Sequence, residues 1–281
     1  MPRKLNDMVV VITGASAGIG KALAERLSAR GAKLVLAARR VERLAELNRQ
    51  MSNRHLVVRA DVARREDCQA IVDRALERFG RIDTLVCNAG YGSYRTVAET
   101  SPEEMRRLFA TNVFGSTDCI YAALPAMLRQ EPRDGFCGQV MLVSSCVARR
   151  AIPYLGAYSA TKAAQLSLAE SMRVELKPQR IAVTCVMPIQ TKTEFGQVAE
   201  IEGGLKIAHG PVGQTVQHVA QRMTDAIVKP RAEVWPFRPA RWAFGLGTLA
   251  PRLIDYLMND YRRQVEMVNP RTTDSSPVAN R

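Results

Sequence analysis

Histidine is scarce in this sequence: His55, His209 and His218 are its three copies among 281 residues. The six cysteines (Cys68, Cys87, Cys119, Cys137, Cys146 and Cys185) contain no Cys-x-x-Cys pair and no His/Cys metal spacing, so neither zinc nor any other metal is expected. They read instead as small buried apolar side chains of a reducing compartment. Long hydrophobic runs are missing too. Nothing approaches the roughly 18 apolar residues of a membrane span. The short apolar run after the basic N-terminus ends in glycines before it reaches signal-peptide length. The expectation is a cytoplasmic protein. Acidic residues are the minority, 27 against 40 lysines and arginines, which leaves a formal net charge of +13. That excess favours an anionic partner: a phosphorylated cofactor, nucleic acid or an acidic membrane surface. Arginine pairs are scattered through the chain, which assigns most of them to solvated faces. The core lacks a nucleic-acid recognition motif and any interleaving of aromatic with basic residues, so nucleic acid is not an expected partner.

What is present is an alternation of strands and helices. "MVVVIT" at 8–13 is a β-branched, uniformly apolar run of the kind buried on both faces of a parallel sheet. "AKLVLAA", "HLVVRAD", "DTLVCNAG", "GQVMLVSS", "RIAVTCVMP" and a short "AEVWP" repeat the pattern, with helical periodicity between them. This predicts an α/β fold, a doubly wound parallel sheet with helices on both faces, over residues 1–238. Residues 190–213 break the rhythm and read as an irregular loop or lid over the substrate. Residues 239–269 form an apolar, aromatic-bearing helical extension, and 270–281 read as disordered.

"TGASAGIG" at 13–20 joins the first strand to the first helix. Gly14 permits a tight turn, Gly18 clears the approach of a diphosphate to the backbone, and Gly20 lets helix and sheet pack closely. The helix N-terminus then offers free N–H groups to an anion. Ser16 and Ile19 belong to the same candidate dinucleotide turn. The spacing is G-x-x-x-G-x-G, not the commoner G-x-G-x-x-G. The second strand ends in "LAARR", where Ala38 stands in place of the carboxylate that would grip a ribose diol. Arg39, with Arg40 behind it, suits a 2′-phosphate, so NADP(H) is favoured over NAD(H); the other reading of Arg39 is a solvated helix start. Asp61, followed by Val62, either accepts a hydrogen bond from an adenine amino group or caps the next helix.

Tyr158 and Lys162 stand four residues apart in "AYSATKAA", on one face of a predicted helix. With the glycine turn, "CNAG" at 87–90, Asn112, Ser145 thirteen residues before Tyr158, and Pro188 after the sixth strand, the chain resembles the short-chain dehydrogenases/reductases over about residues 8–193. The resemblance implies hydride transfer between a nicotinamide and a carbonyl or alcohol carbon. In it Tyr158 moves the proton, Lys162 favours the phenolate and holds ribose hydroxyls, and Ser145 steadies the substrate oxygen. Asn112 would hold a water that extends the relay from Lys162. Asn88, Ala89 and Gly90 would line the adenine ribose, and Pro188, Thr191 and Thr193 would meet the cofactor's carboxamide and phosphates. A homodimer or homotetramer through the helices at 102–131 and 154–178 is also implied. The intact Ser145, Tyr158 and Lys162 argue against the alternative of a non-catalytic cofactor sensor.

Two departures stand out. Cys87 replaces an asparagine that the family uses to support its sheet, and Ile189 replaces the glycine after Pro188, which reshapes the pocket. The expected pocket lining (Tyr91, Val147, Ile152, Tyr154, Met187, Ile189, Phe195, Val198 and Ile201) is mostly apolar and suits a lipophilic carbonyl or alcohol. The extension either packs on the domain or a partner subunit, or leans on a membrane through its apolar face.

Overall fold

The apolar runs become strands because each has two faces to bury. The computed structural model describes residues 2–207 and 213–269; residues 208–212 of the lid and the tail at 270–281 lie outside the described residues. Seven strands form one parallel sheet: β1 (Val9–Thr13), β2 (Lys33–Ala38), β3 (Leu56–Arg59), β4 (Thr84–Cys87), β5 (Gly138–Val143), β6 (Ile181–Val186) and β7 (Glu233–Val234). Their order is β3-β2-β1-β4-β5-β6-β7, and every pair is parallel. This is a Rossmann-like doubly wound sheet. The winding reverses between β1 and β4, and a crevice opens there at the C-terminal edge of the strands.

Side-chain alternation divides the core into two layers. Val11, Val35, Leu85, Val140 and Val183 pack with helices α3 (Arg65–Phe79), α5 (Gly115–Arg129) and α6 (Gly156–Glu175). Val10, Ile12, Leu34, Leu36 and Met141 pack on the other face with α1 (Gly18–Ser28), α2 (Val41–Gln50) and α8 (Val216–Val228). Each fully buried aliphatic side chain contributes about 1.5–3 kcal/mol. Helix α4 (Pro102–Phe109) runs into α5 through one π turn at Ala110–Phe114. Phe114, Tyr121 and Leu128, seven residues apart, form an exposed stripe.

The irregular reading of 190–213 needs correction, because α7 (Phe195–Gly203) lies within it. Gly204 ends that helix in the left-handed region at φ +79°, and Ala199 anchors it in the core. The extension forms α9 (Arg238–Leu249) and α10 (Pro251–Val268), which lie against the chain's own domain. Ala240 and Val265 are buried, Arg150 pairs with Asp255, and Tyr154 Oη donates to Glu266 at 3.2 Å. Trp242, Leu249, Leu253 and Tyr256 remain exposed. No helix among the described residues is long and apolar enough to cross a membrane.

The opposite, N-terminal edge of the sheet is closed by charge. The buried Asp83 carboxylate accepts from the Val9 amide at 2.8 Å and pairs with Arg81 at 2.8 Å and Arg133 at 3.5 Å. Arg3 donates to the Asp83 carbonyl and the Gln139 side chain, each at 2.8 Å. Burial lowers the Arg3 pKa to about 10, a cost that nearby Asp83 offsets in part. Asp83→Asn keeps the shape and removes the charge, so it should cost about 3 kcal/mol, read as a lower urea midpoint. An unchanged midpoint would show that the cluster contributes nothing.

Candidate active site

The glycine turn is held from below by β4. Gly14 has φ +66°, and a Cβ there would stand 2.8 Å from the Ala89 Cα. Asn88 Nδ2 donates to the carbonyls of Thr13 and Gly14 at 2.9 and 3.2 Å, while Thr13 Oγ1 accepts from the amides of Asn88 and Ala89. The asparagine expected to line a ribose therefore has its amide committed to the turn, leaving Ala89 and Gly90 to face the crevice. Cys87 donates its thiol to the Ser116 carbonyl at 3.6 Å, so the substitution is accommodated under the sheet. Gly18 (φ +55°) opens α1 after Ala17, which provides no side-chain cap, and the first turn contains no acid. The leading N–H groups of α1, including those of Ile19 and Gly20, are thus left for an anion. A groove lined by Ser16, Gly18, Lys21, Arg43 and Glu194 lies beside the turn. The cradle fits a diphosphate.

At the far end of the crevice, Arg39 is exposed, with Asp61 4.0 Å away. Asp61 Oδ1 accepts from the Ala63 amide at 3.1 Å, a local turn two residues ahead of α3, which starts after Arg64 without a side-chain cap. Val62 is buried against Gly115, and its carbonyl accepts from the Cys68 thiol at 3.4 Å. Arg40 also donates to Ser16 Oγ at 3.4 Å.

The π turn, the end of β5 and α6 bring the catalytic candidates together. The buried stripe of α6 includes Tyr158, Thr161, Lys162, Gln165 and Leu166. Ser144 Oγ donates to the Lys162 carbonyl at 2.8 Å, so the next serine faces the other way. Ser145 lies within hydrogen-bonding reach of the Tyr158 hydroxyl, a contact that favours ionisation. Burial outweighs it and pushes the phenol above its ordinary range. The Lys162 ammonium stands 5.6 Å from the Tyr158 ring centroid, and burial lowers its pKa to about 8. Asn112 is fully buried; its amide donates to Tyr91 O and Thr161 Oγ1 and accepts from the Tyr91 amide. Sequence reasoning missed Gln165, whose amide touches both Lys162 and the Asn112 carbonyl. The one signal in the sequence was its place three residues after Lys162 on the same helix face; its burial comes from the structure. Cys146 is held protonated by burial, with a pKa raised to about 11.

The lid crosses the crevice. The Pro188 carbonyl accepts from the Cys146 amide at 3.0 Å, and Ile189 packs half-buried on the core. Thr191 Oγ1 donates to the Ile189 carbonyl at 2.9 Å. Thr193 presses on Gly18, where an added Cβ would meet its Cγ2 at 3.2 Å. Glu194 pairs with Arg40 at 2.8 Å and Arg43 at 2.6 Å. The Phe195 ring then sits 5.1 Å from that of Tyr158, tilted by 58°. Two expected lining residues do not serve. Met187 is fully buried in the core, and Ile201 is 81% exposed.

The family model for short chain dehydrogenases matches residues 8–202. The chain is 32% identical over 260 residues to 11-beta-hydroxysteroid dehydrogenase-like 2 of Arabidopsis thaliana, covering 89% of this chain and 80% of that one. It is 30% identical over 273 residues to the dehydrogenase/reductase SDR family member 7B of Mus musculus, covering 92% and 83%. Among solved structures, a Burkholderia phymatum short chain dehydrogenase/reductase in complex with NAD superposes with a TM-score of 0.79 at 25% identity, covering 89% and 96%. A Burkholderia cenocepacia short chain dehydrogenase in complex with NADP gives 0.74 at 28%, covering 90% and 98%.

Two exposed ion pairs of about 0–1 kcal/mol each hold the lid across the arginines. Glu194→Gln should raise amide hydrogen exchange several-fold over residues 190–203 and leave α6 unchanged. Equal exchange in both proteins would mean that Glu194 does not hold the lid.

Proposed function

Because this chain belongs to the short-chain dehydrogenase/reductase family, whose members are nicotinamide-dependent oxidoreductases, we propose that it moves a hydride between NADP(H) and a carbonyl or alcohol carbon of a lipophilic small molecule. The observation that carries this reading is the convergence of Ser145, the Tyr158 phenol and the Lys162 ammonium beside an uncapped glycine turn. The turn around Gly14, Gly18 and Gly20 would hold the diphosphate, and Arg39 the 2′-phosphate. Lys162 would hold the ribose hydroxyls, and Thr193 would contact the cofactor. When bound, the nicotinamide supplies or takes up the hydride.

Tyr158 handles the proton. Burial keeps it protonated at neutral pH, so it is a donor to the oxygen of a carbonyl undergoing reduction. In the reverse direction it accepts the alcohol proton, and the nearby Lys162 ammonium lowers the cost of the phenolate. The Ser145 hydroxyl donates to the same oxygen as charge develops on it. The Phe195 ring lies beside Tyr158, and Ile152, Tyr154 and Ile189 pack half-buried on the same core cluster, which supports an apolar substrate. The NADP(H) preference is supported by Ala38 at the end of β2 and by the exposed guanidinium of Arg39.

Tyr158→Phe should lower kcat for carbonyl reduction by about 10²–10⁴-fold while NADPH still quenches protein fluorescence normally. Turnover at the parent rate would falsify the tyrosine's role. Arg39→Ala removes a charge-assisted contact of about 1.5–3 kcal/mol. It should weaken NADPH by about ten- to hundredfold with little change for NADH, measured by titration of both. Equal losses would overturn the cofactor preference.

A further inference from the structure

A buried ammonium needs acceptors, and Lys162 takes two from different elements. One is the Val143 carbonyl at the end of β5, 2.8 Å away; the other is the Gln165 amide oxygen on α6, 2.9 Å away. Gln165 is itself fully buried. Its Nε2 donates to the Asn112 carbonyl at 2.7 Å and to Ser116 Oγ at 2.9 Å. That carbonyl belongs to the π turn, where the i→i+5 pattern shifts carbonyls out of the regular helical ladder. Ser116 Oγ also donates to it, at 2.9 Å. A glutamine satisfies both ends because its amide carries an acceptor and a donor on one rigid plane. An apolar residue here would leave the ammonium with one acceptor fewer in a site that water does not reach freely.

We propose that Gln165 is a positioning residue for the proton transfer assigned to Tyr158: its amide fixes the Lys162 ammonium against the tyrosine ring and ties it directly to the Asn112 carbonyl. The Gln165 side chain spans the same two groups that the resemblance links, Lys162 and Asn112. The inference rests on the reading of Tyr158 and Lys162 given above. The other groups that face the ammonium are the Tyr158 ring on its own helix, the Cys185 thiol on β6, which favours its charge, and the Gly90 backbone. The neutral amide supplies partial negative charge where no formal charge pair is made. Loss of its oxygen therefore disfavours the ammonium, and a carboxylate in its place favours it.

The test uses full-length Gln165→Leu and Gln165→Glu. The Lys162 amine is titrated by NMR in protein labelled with ¹³C at the lysine ε carbon, with the signal assigned through Lys162→Arg. The midpoint should fall by about one pH unit in the leucine variant and rise by at least about one unit in the glutamate variant. With NADPH and a reducible ketone, kcat of the leucine variant should fall about tenfold, with the ketone KM within about twofold. The isosteric glutamate variant provides the reading should the leucine variant fail to fold. A lysine midpoint unmoved in the glutamate variant overturns the proposal, as does a leucine variant that folds and keeps both the parent midpoint and kcat. Retained turnover in Tyr158→Phe, together with opposite lysine shifts, would overturn the tyrosine's role and sustain that of Gln165.

Discussion

An ammonium buried inside a domain is the demand that the rest of this crevice answers. Lys162 sits on the inner face of α6, and burial alone makes its charged form costly. The Val143 carbonyl is available to it because β5 ends there and the sheet ladder no longer uses that side. The Gln165 oxygen is turned to it because the amide nitrogen is engaged by the Asn112 carbonyl of the π turn and by Ser116. The π turn in turn faces Asn112 inward, where its side chain holds both the amide and the carbonyl of Tyr91. Strand end, helix irregularity and crossover loop are therefore coupled through one cation. The Tyr158 phenol is positioned beside that cation as a consequence, and not by contacts of its own alone.

The two edges of the sheet are finished in opposite ways. At the N-terminal edge, Asp83 and Arg3 join β1, β4, β5 and the strand-leading backbone through short charge-assisted bonds. At the C-terminal edge Asn88, Asn112, Lys162 and Gln165 are bonded as closely, but the groups that face the crevice are less fully used. Helix α1 starts without a side-chain cap, Arg39 has its nearest carboxylate 4.0 Å away, and the lid is held by exposed ion pairs. Stability is concentrated where nothing has to bind, and the edge that must open is left weakly tied.

The fold was legible because parallel strands buried on both faces must be uniformly apolar, and runs such as "VVVIT" and "KLVLAA" have no other reading at that length. Position in the fold added what spacing could not. Tyr158 and Lys162 were visible as a helical pair, but their neighbours come from β5 and the π turn, which are distant in sequence. Gln165 escaped notice because a polar residue in a helix is by default solvated, and only burial reveals that its amide is enclosed. The helix in the lid was obscured by glycines at both ends, one of which is its left-handed terminator, Gly204. Asn88 was read by its neighbours; its amide turned out to face the turn below it.

The lid shows how a basic chain manages its charge near an anion site. Arg40 and Arg43 are close enough together to repel, and the Glu194 carboxylate, whose pKa hydrogen bonds from both guanidinium groups lower, bridges them. The same segment sets Thr193 on Gly18 and Phe195 on Tyr158, so three contacts in consecutive residues span the crevice from its anion end to its phenol. Thr193, Glu194 and Phe195 are consecutive, so the three contacts tether one short stretch of backbone. An entering phosphate would compete with a carboxylate for guanidinium groups, exchanging like for like, whereas a ligand without one would have to break the pairs uncompensated.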